Sequence, residues 1–250
     1  MEINFVICAL MLGKKNSSGF PGKNLFKIKK KSLCEYPLLA AKKSKLIDKI
    51  YVSTDCPKIS KLAKFYNADI IKRPRSLATK KALGDDAFQH GYFYIKDQLK
   101  DSNKKLEFLV LLFANAPTVN SILINKGINI LRKNPKLDSA VSTSVYNMWS
   151  PLRARKIDRH GYLKPFVPFE TFGNPKTLNC DRDSQGNVYY ADMSVSVVRP
   201  HCLENMENNL LPQKWMGKRI APIISNGGCD VDFPWQIPMV EYWLKTNKII

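Results

Sequence analysis

The run Ile3-Asn4-Phe5-Val6-Ile7-Cys8-Ala9-Leu10-Met11-Leu12 constrains the fold more than any other segment. It has the length of a strand and is nearly unbroken in its apolar character, without the alternation of a strand that faces water on one side. Such a strand needs cover on both faces, as at the centre of a parallel sheet. Leu106 to Phe113 has the same character. Around these two runs, Ile50 to Thr54, Ala68 to Ile71, Ser139 to Val145, Val195 to Val198 and Arg219 to Ile224 read as further strands. Pro37 to Leu46, Pro57 to about Tyr66, Asp85 to Leu99, Asn120 to Lys133, a segment after Pro200 and Trp235 to Lys245 read as helices. Pro57 suits a first helical turn, where a missing N–H costs nothing. Strand and helix alternating through short connections predict an α/β fold with a mostly parallel central sheet and right-handed crossovers.

The rhythm breaks between Met148 and Tyr190, a stretch rich in Gly, charge and Pro (Pro151, Pro165, Pro168, Pro175). It reads as a lobe inserted at about 148–190 into a single domain spanning 1–250. The chain shows no internal repeat and no low-complexity linker.

Composition removes several classes of function. With 44% hydrophobic residues the chain is not of disordered type. Its longest apolar runs, Phe5 to Leu12 and Phe108 to Ala114, fall short of the roughly 18 residues a membrane-spanning helix needs. Glu2 stands where a secretory leader would carry basic residues. The expectation is a soluble, cytoplasmic protein without a membrane partner. The six cysteines at 8, 34, 56, 180, 202 and 229 form no CxxC and no cluster with histidine, so they read as reduced structural thiols rather than a zinc site or a disulfide framework. Lys and Arg number 40 against 21 Asp and Glu, a formal charge of +19. That surplus is compatible with a nucleic acid, a polyanionic substrate or a merely lysine-rich composition. The clusters Lys27, Lys29, Lys30, Lys31 and Lys42, Lys43, Lys45 read as solvated faces. No nucleic-acid recognition motif accompanies them, so none is expected as a partner.

In an open parallel sheet, ligands bind outside the carboxyl ends of the strands. Three segments gather there: the loop after the first strand, the turn Ser53-Thr54-Asp55, and the corner Asn115-Ala116-Pro117-Thr118. The first combines Gly13, Gly19 and Gly22 with Lys14, Lys15 and Lys23. Glycine lets backbone N–H groups approach an anion and lysine neutralises it, so the loop is either a polyphosphate cradle or an ordinary basic loop. It is neither a Walker A loop nor a Gly-x-Gly-x-x-Gly turn. Asp230-Val231-Asp232 places two carboxylates at i and i+2, which on an extended chain face the same way and can share a magnesium ion; one of them could equally cap the helix that follows. Asp55 reads as a site residue or a helix cap, and Arg73 as an anion clamp or a surface residue. His90, His160 and His201 are isolated and no Gly-x-Ser-x-Gly elbow occurs, so nucleophilic catalysis by a Ser–His or Cys–His pair has no support.

Taken in order, these segments resemble the acylneuraminate (CMP-sialic acid synthetase-like) cytidylyltransferases. The resemblance rests on the apolar strand before Gly13, Gly19-Phe20-Pro21-Gly22-Lys23-Asn24, and Ile47-Asp48-Lys49-Ile50-Tyr51-Val52-Ser53-Thr54-Asp55. It continues through Arg73-Pro74-x-x-Leu77-Ala78-Thr79 to Pro151-Leu152-Arg153 and Asp230-Val231-Asp232. It is dense from residue 3 to about 95 and thinner afterwards. It implies a Rossmann-like nucleotidyltransferase domain, with the inserted lobe forming a homodimer. The implied reaction is activation of a sialic-acid-like 2-keto sugar acid by CTP with magnesium, giving a CMP-sugar and pyrophosphate. By the same resemblance, Lys14 and Lys23 are the catalytic cations. Leu12, Gly13, Lys14, Ser18, Gly22, Lys23, Asn24, Arg73, Ala78 and Asn115 form the nucleotide site. Arg153 and Asp192 contact the sugar, and Asp230 and Asp232 hold magnesium. Asp55 shapes the site rather than reacting.

Two departures bear on activity. Family loops usually read Ala-Arg-x-x-Ser-Lys before this Pro-x-Lys-Asn, and alignment on Pro21 puts Lys14 at the arginine and Ser18 at the lysine. Lysine keeps the charge but loses the bidentate fork. The family's Gln-Pro-Thr-Ser-Pro-Leu-Arg after the fourth strand is here Phe113-Ala114-Asn115-Ala116-Pro117-Thr118-Val119, which removes a glutamine and an arginine from the region that reads base and sugar. An octulosonate, a phosphonate or another acidic alcohol therefore stays open as acceptor, as does a silent nucleotide-binding homologue.

Overall fold

The computed structural model describes residues 4–16, 19–100, 102–179, 181 and 186–250. Its principal elements are β1 (Asn4–Gly13), α1 (Glu35–Lys43), β2 (Lys49–Thr54), α2 (Pro57–Phe65), β3 (Asp69–Lys72), α3 (Gly84–Lys100), β4 (Lys104–Phe113), α4 (Ser121–Lys133), β5 (Ser139–Val145), β6 (Tyr189–Val198), α5 (His201–Glu204), β7 (Ile220–Ile224) and α6 (Ile237–Thr246). The seven strands form one sheet in the order β3-β2-β1-β4-β6-β5-β7. Neighbours run parallel except at β6, which is antiparallel to both β4 and β5. The α/β class with a mostly parallel sheet is thus as the alternation of segments predicts.

The apolar run that demanded cover on both faces receives it. Ile7, Ala9 and Met11 of β1 enter a core with residues of α1, α2, α4 and α6, while Val6, Cys8, Leu10 and Leu12 enter a second core with Phe88, Tyr92, Ile95 and Leu99 of α3. Each fully buried Leu, Ile or Phe contributes on the order of 1.5–3 kcal/mol, so this strand is the anchor of the fold. The pairing of β1 with β4 shifts between Val6 and Ile7, which face Leu106 and Phe108. Glu107 is the extra residue of that bulge, and its carboxylate is free to take Arg132 of α4 through two hydrogen bonds of 2.8 and 2.6 Å.

The structure moves several predicted boundaries. The first helix starts at Glu35 rather than Pro37, because Glu35 accepts hydrogen bonds from the Ser32 amide (2.6 Å) and the Tyr66 hydroxyl (2.8 Å); Pro37 then falls within the first turn. The first lysine cluster lies on a hairpin, Lys27–Ile28 against Lys31–Ser32, with Lys27, Lys29 and Lys30 exposed as the solvated-face reading expects. β6 begins at Tyr189 rather than Val195. Its first three residues pair with Val145, Ser144 and Thr143, and regular pairing returns at Ser196. The intervening irregularity carries Asp192, whose polar surroundings hid the strand. From residue 147 to 179 the chain forms short 3-10 turns and one ribbon, Arg155–Ile157 against Leu163–Pro165. Among the described residues no helix is long and apolar enough to cross a membrane.

Sheet order reverses at β1, with β2 on one side and β4 on the other. The carboxyl ends Gly13, Thr54 and Phe113 lie side by side there, which is where an open α/β sheet places a crevice.

Candidate active-site cleft

The crevice is a cavity of about 430 Å³ walled by the loop after β1, the residues before α3, the end of β4 and the segment before α6. Lys23 and Asn24 open the first wall. Both are buried, in a 3-10 turn at Lys23–Leu25 that Gly22 starts by accepting a hydrogen bond from the Leu25 amide (2.9 Å). Asn24 donates through Nδ2 to the Lys14 carbonyl (2.9 Å), bracing the loop across itself. Its Oδ1 is buried and, among the described residues, meets no hydrogen-bond donor. A buried acceptor left unsatisfied costs about 1–3 kcal/mol.

The opposite wall is acidic. Lys23 Nζ bonds directly to Asp232 Oδ1 although 209 residues separate them. Asn115, just after β4, fixes the strip on which that carboxylate rides. Its Nδ2 donates to Asp230 Oδ2 (3.3 Å) and the Val231 carbonyl (3.0 Å), and its carbonyl accepts from the Val231 amide (2.8 Å). Gln236 completes the hold, its Oε1 accepting from the amides of Asp232 (2.7 Å) and Phe233 (2.8 Å). The strip also presses on the lysine-bearing loop, for a Cβ on Gly19 would stand 2.7 Å from the Asp232 carbonyl oxygen. Only glycine allows that approach. Val231 is fully buried. Burial, and next the neighbouring Asp232 charge, raise the Asp230 carboxyl above the usual carboxylate range against the opposing pull of Lys23 and Asn115.

Arg73 lies under the floor, 6% exposed. Its Nε and Nη2 donate to the Ser53 hydroxyl (3.2 Å) and carbonyl (2.6 Å). Burial lowers its pKa to about 10, with Asp55 acting the other way, so it stays charged at neutral pH. Asp55 accepts from the Lys15 amide at 2.8 Å and so holds the loop after β1, the shaping role implied for it. Lys14 Nζ reaches the Thr79 carbonyl at 3.4 Å.

Leu12, Lys14, Lys23, Asn24, Arg73 and Asn115 therefore line one cleft with Asp232. Gly13 sits behind it, close against Ala114, while Ser18 lies outside the described residues. Ala78 does not line the cleft; it faces a neighbouring groove. The two residues assigned to the sugar are not brought here. Arg153 lines a separate pocket of the lobe with Phe169 and Leu178. Asp192 is 5% exposed, and its carboxylate accepts from the hydroxyls of Ser142 and Ser144 and from the Ser194 amide (3.1 Å). Gly228 packs so tightly on it that a Cβ would lie 2.4 Å from Oδ2. Asp192 thus supports the strip carrying Asp230 instead of facing the cleft. Sequence reasoning passed over Leu83, Gly84, Ala87 and Phe233 as lining residues. Only the start of a helix after a polar loop hinted at the first three.

The donor set suits a hard cation. Among the described residues no cluster of three or more His, Cys, Asp or Glu side chains occurs, so Asp230 and Asp232 offer oxygen ligands without a closed cage. An ion that keeps waters and takes ligand phosphate oxygens matches such a pair, and it would relieve the repulsion that lifts the Asp230 pKa. With Lys14, Lys23 and Arg73 opposite, the cleft can hold a polyphosphate and neutralise charge developing on it.

Comparison with known proteins gives the family and the fold. A family model described as Cytidylyltransferase matches residues 9–146, and the chain belongs to that family. It is 28% identical over 160 residues to the N-acylneuraminate cytidylyltransferase of Escherichia coli O18:K1:H7, a match covering 64% of this chain and 36% of that protein. It is 31% identical over 117 residues to the CMP-N,N'-diacetyllegionaminic acid synthase of Campylobacter jejuni, covering 46% and 47%. The chain thus spans between about a third and a half of these relatives' length. The structure of CMP:2-keto-3-deoxy-manno-octonic acid synthetase complexed with CTP superposes with a TM-score of 0.65 at 14% identity, covering 98% of this chain and 99% of the other. That likeness extends the shared fold beyond the matched span, to the region of Asp230 and Asp232.

Proposed function

We propose that this protein transfers the CMP group of CTP to an acidic sugar and releases pyrophosphate. The observation that carries the reading is the buried Lys23 ammonium held against Asp232 across a cleft at the switch point of the sheet, with Arg73 beneath and Asn24 in the wall. In this reaction an acceptor hydroxyl oxygen attacks the α-phosphorus, the bond from that phosphorus to the bridging oxygen of the β-phosphate breaks, and the hydroxyl proton passes to solvent. The protein has little covalent chemistry to do; it positions the reactants and neutralises charge. Lys23 and Lys14 hold the triphosphate, Asn24 and Asn115 orient the nucleotide, and Asp230 and Asp232 would hold magnesium, which supplies charge neutralisation on the phosphates.

A nonulosonic acid of sialic or legionaminic type is the proposed acceptor, supported by what the relatives' names say they act on. The lobe is proposed to pair two copies in the cytoplasm, supported by Ile157, Tyr162, Leu163 and Phe166 exposed on and beside its ribbon; sedimentation at micromolar concentration should give twice the 28.5 kDa mass. The deciding experiment is pyrophosphate release with magnesium from each of CTP, ATP, GTP and UTP against nonulosonic, octulosonic and phosphonic acids. Release with CTP and a nonulosonate is the expected result. Release with another acid corrects the acceptor, and failure to bind CTP overturns the reading.

A further inference from the structure

Behind the cleft, across the wall that carries Arg73, lies a second cavity of about 1010 Å³ between α2 and the turn Arg75–Ala78. Lys15, Lys61, Lys64, Lys72, Arg73 and Arg75 surround it. Its one carboxylate is Asp55, which already accepts the Lys15 amide. Among the described residues none of these six cations forms an ion pair, whereas Lys49, Lys96 and Lys100 elsewhere each meet a carboxylate at 2.5 to 2.8 Å. α2 starts at this groove with Pro57 and no side-chain cap, which adds the positive end of a helix. Arg73 is the deeply buried member. Among the described residues its guanidinium hydrogen-bonds Ser53 alone, lines both cavities and forms no ion pair, Asp55 acting on it only through its charge. Six like charges around one concavity repel each other, and an anion with several oxygens would relieve them together.

We propose that this groove is a second anion site and that it takes inorganic diphosphate while the cleft is occupied. The choice of diphosphate rests on the nucleotidyl-transfer reading, since that reaction expels it next to the shared Arg73 wall. Binding needs no turnover, so a protein inactive with every acceptor but still binding diphosphate here would fail the catalytic reading alone.

The test is calorimetric titration of the full-length protein with sodium diphosphate, its cleft saturated with a non-hydrolysable CTP analogue. One equivalent should still bind. The exposed Lys61→Gln/Lys64→Gln/Lys72→Gln variant should lose at least about tenfold in affinity, with a shallower dependence on salt. A charge-matched Lys42→Gln/Lys43→Gln/Lys45→Gln variant should bind as the parent does. Two arms separate the sources of the ligand. A slower steady state with an unchanged first turnover marks released product, and unchanged turnover with lost binding marks diphosphate taken from solution; both support the site. No binding beside the analogue, equal affinity in the groove variant, or equal loss in both variants would overturn it.

Discussion

Lys23 carries an ammonium that is buried, paired with Asp232 and placed at the cleft. Lys23→Ala should lower kcat about 100- to 1000-fold, the usual loss for a preorganised donor, with the circular dichroism spectrum retained. Asp230 is the converse case, a residue whose charge costs the fold. Burial and Asp232 disfavour its ionised form, so Asp230→Asn in metal-free buffer at pH 7.5 should raise Tm by a few degrees. The same change should abolish magnesium-dependent turnover. A fall in Tm would mean that the carboxylate is satisfied in ways its contacts do not show. Lys14 stands where the resembling family has arginine, and among the described residues its Nζ reaches the Thr79 carbonyl.

At the scale of elements, Asp138 joins three of them. It precedes β5, accepts from the amides of Lys218 (2.9 Å) and Arg219 (2.8 Å) ahead of β7, and faces His201 of α5 at 3.2 Å. Burial alone would raise its pKa, but those amides, His201 and the Arg219 charge outweigh it and lower the pKa. A depressed carboxylate pKa gives stability that is present above the unfolded-state value of about 3.9 and lost as pH falls through the folded-state value. Asp138→Asn should therefore cost about 1–3 kcal/mol at pH 7 in urea unfolding, with the difference from the parent shrinking under acid conditions. None of this was legible in the sequence, where Asp138 is one polar residue before an apolar run. What was legible has a common physical origin. Continuous apolar runs and their spacing report burial, so β1, β4 and the α/β alternation could be read directly. The lysine and glycine loop, Arg73 and the aspartate strip could be read as candidates from residue type and position, each with an ordinary alternative beside it; their roles, and Asn24 itself, were implied by the family resemblance. Asp192, assigned to the sugar by resemblance, is held by Ser142, Ser144 and Gly228, contacts across the fold that no local pattern encodes. The irregular start of β6 escaped for the same reason.

For the whole molecule, five of the six cysteines read as structural thiols are described, and Cys180 lies outside the described residues. Cys8, Cys34, Cys56, Cys202 and Cys229 are free and buried, and burial lifts the pKa of Cys8, Cys34, Cys202 and Cys229 to about 12. Iodoacetamide at pH 8 should leave these four unlabelled in the native protein and label them in 6 M guanidinium; fast native labelling of any would contradict the packing described. The Lys23–Asp232 contact has a further consequence. Its halves lie 209 residues apart, one on the loop leaving the central strand and one on a strip fixed by Asn115 and Gln236. No short segment can rehearse that contact, and its closure entropy is met only once the sheet between has zipped together. During refolding from denaturant, secondary structure should therefore return first and catalytic competence only with the slowest kinetic phase.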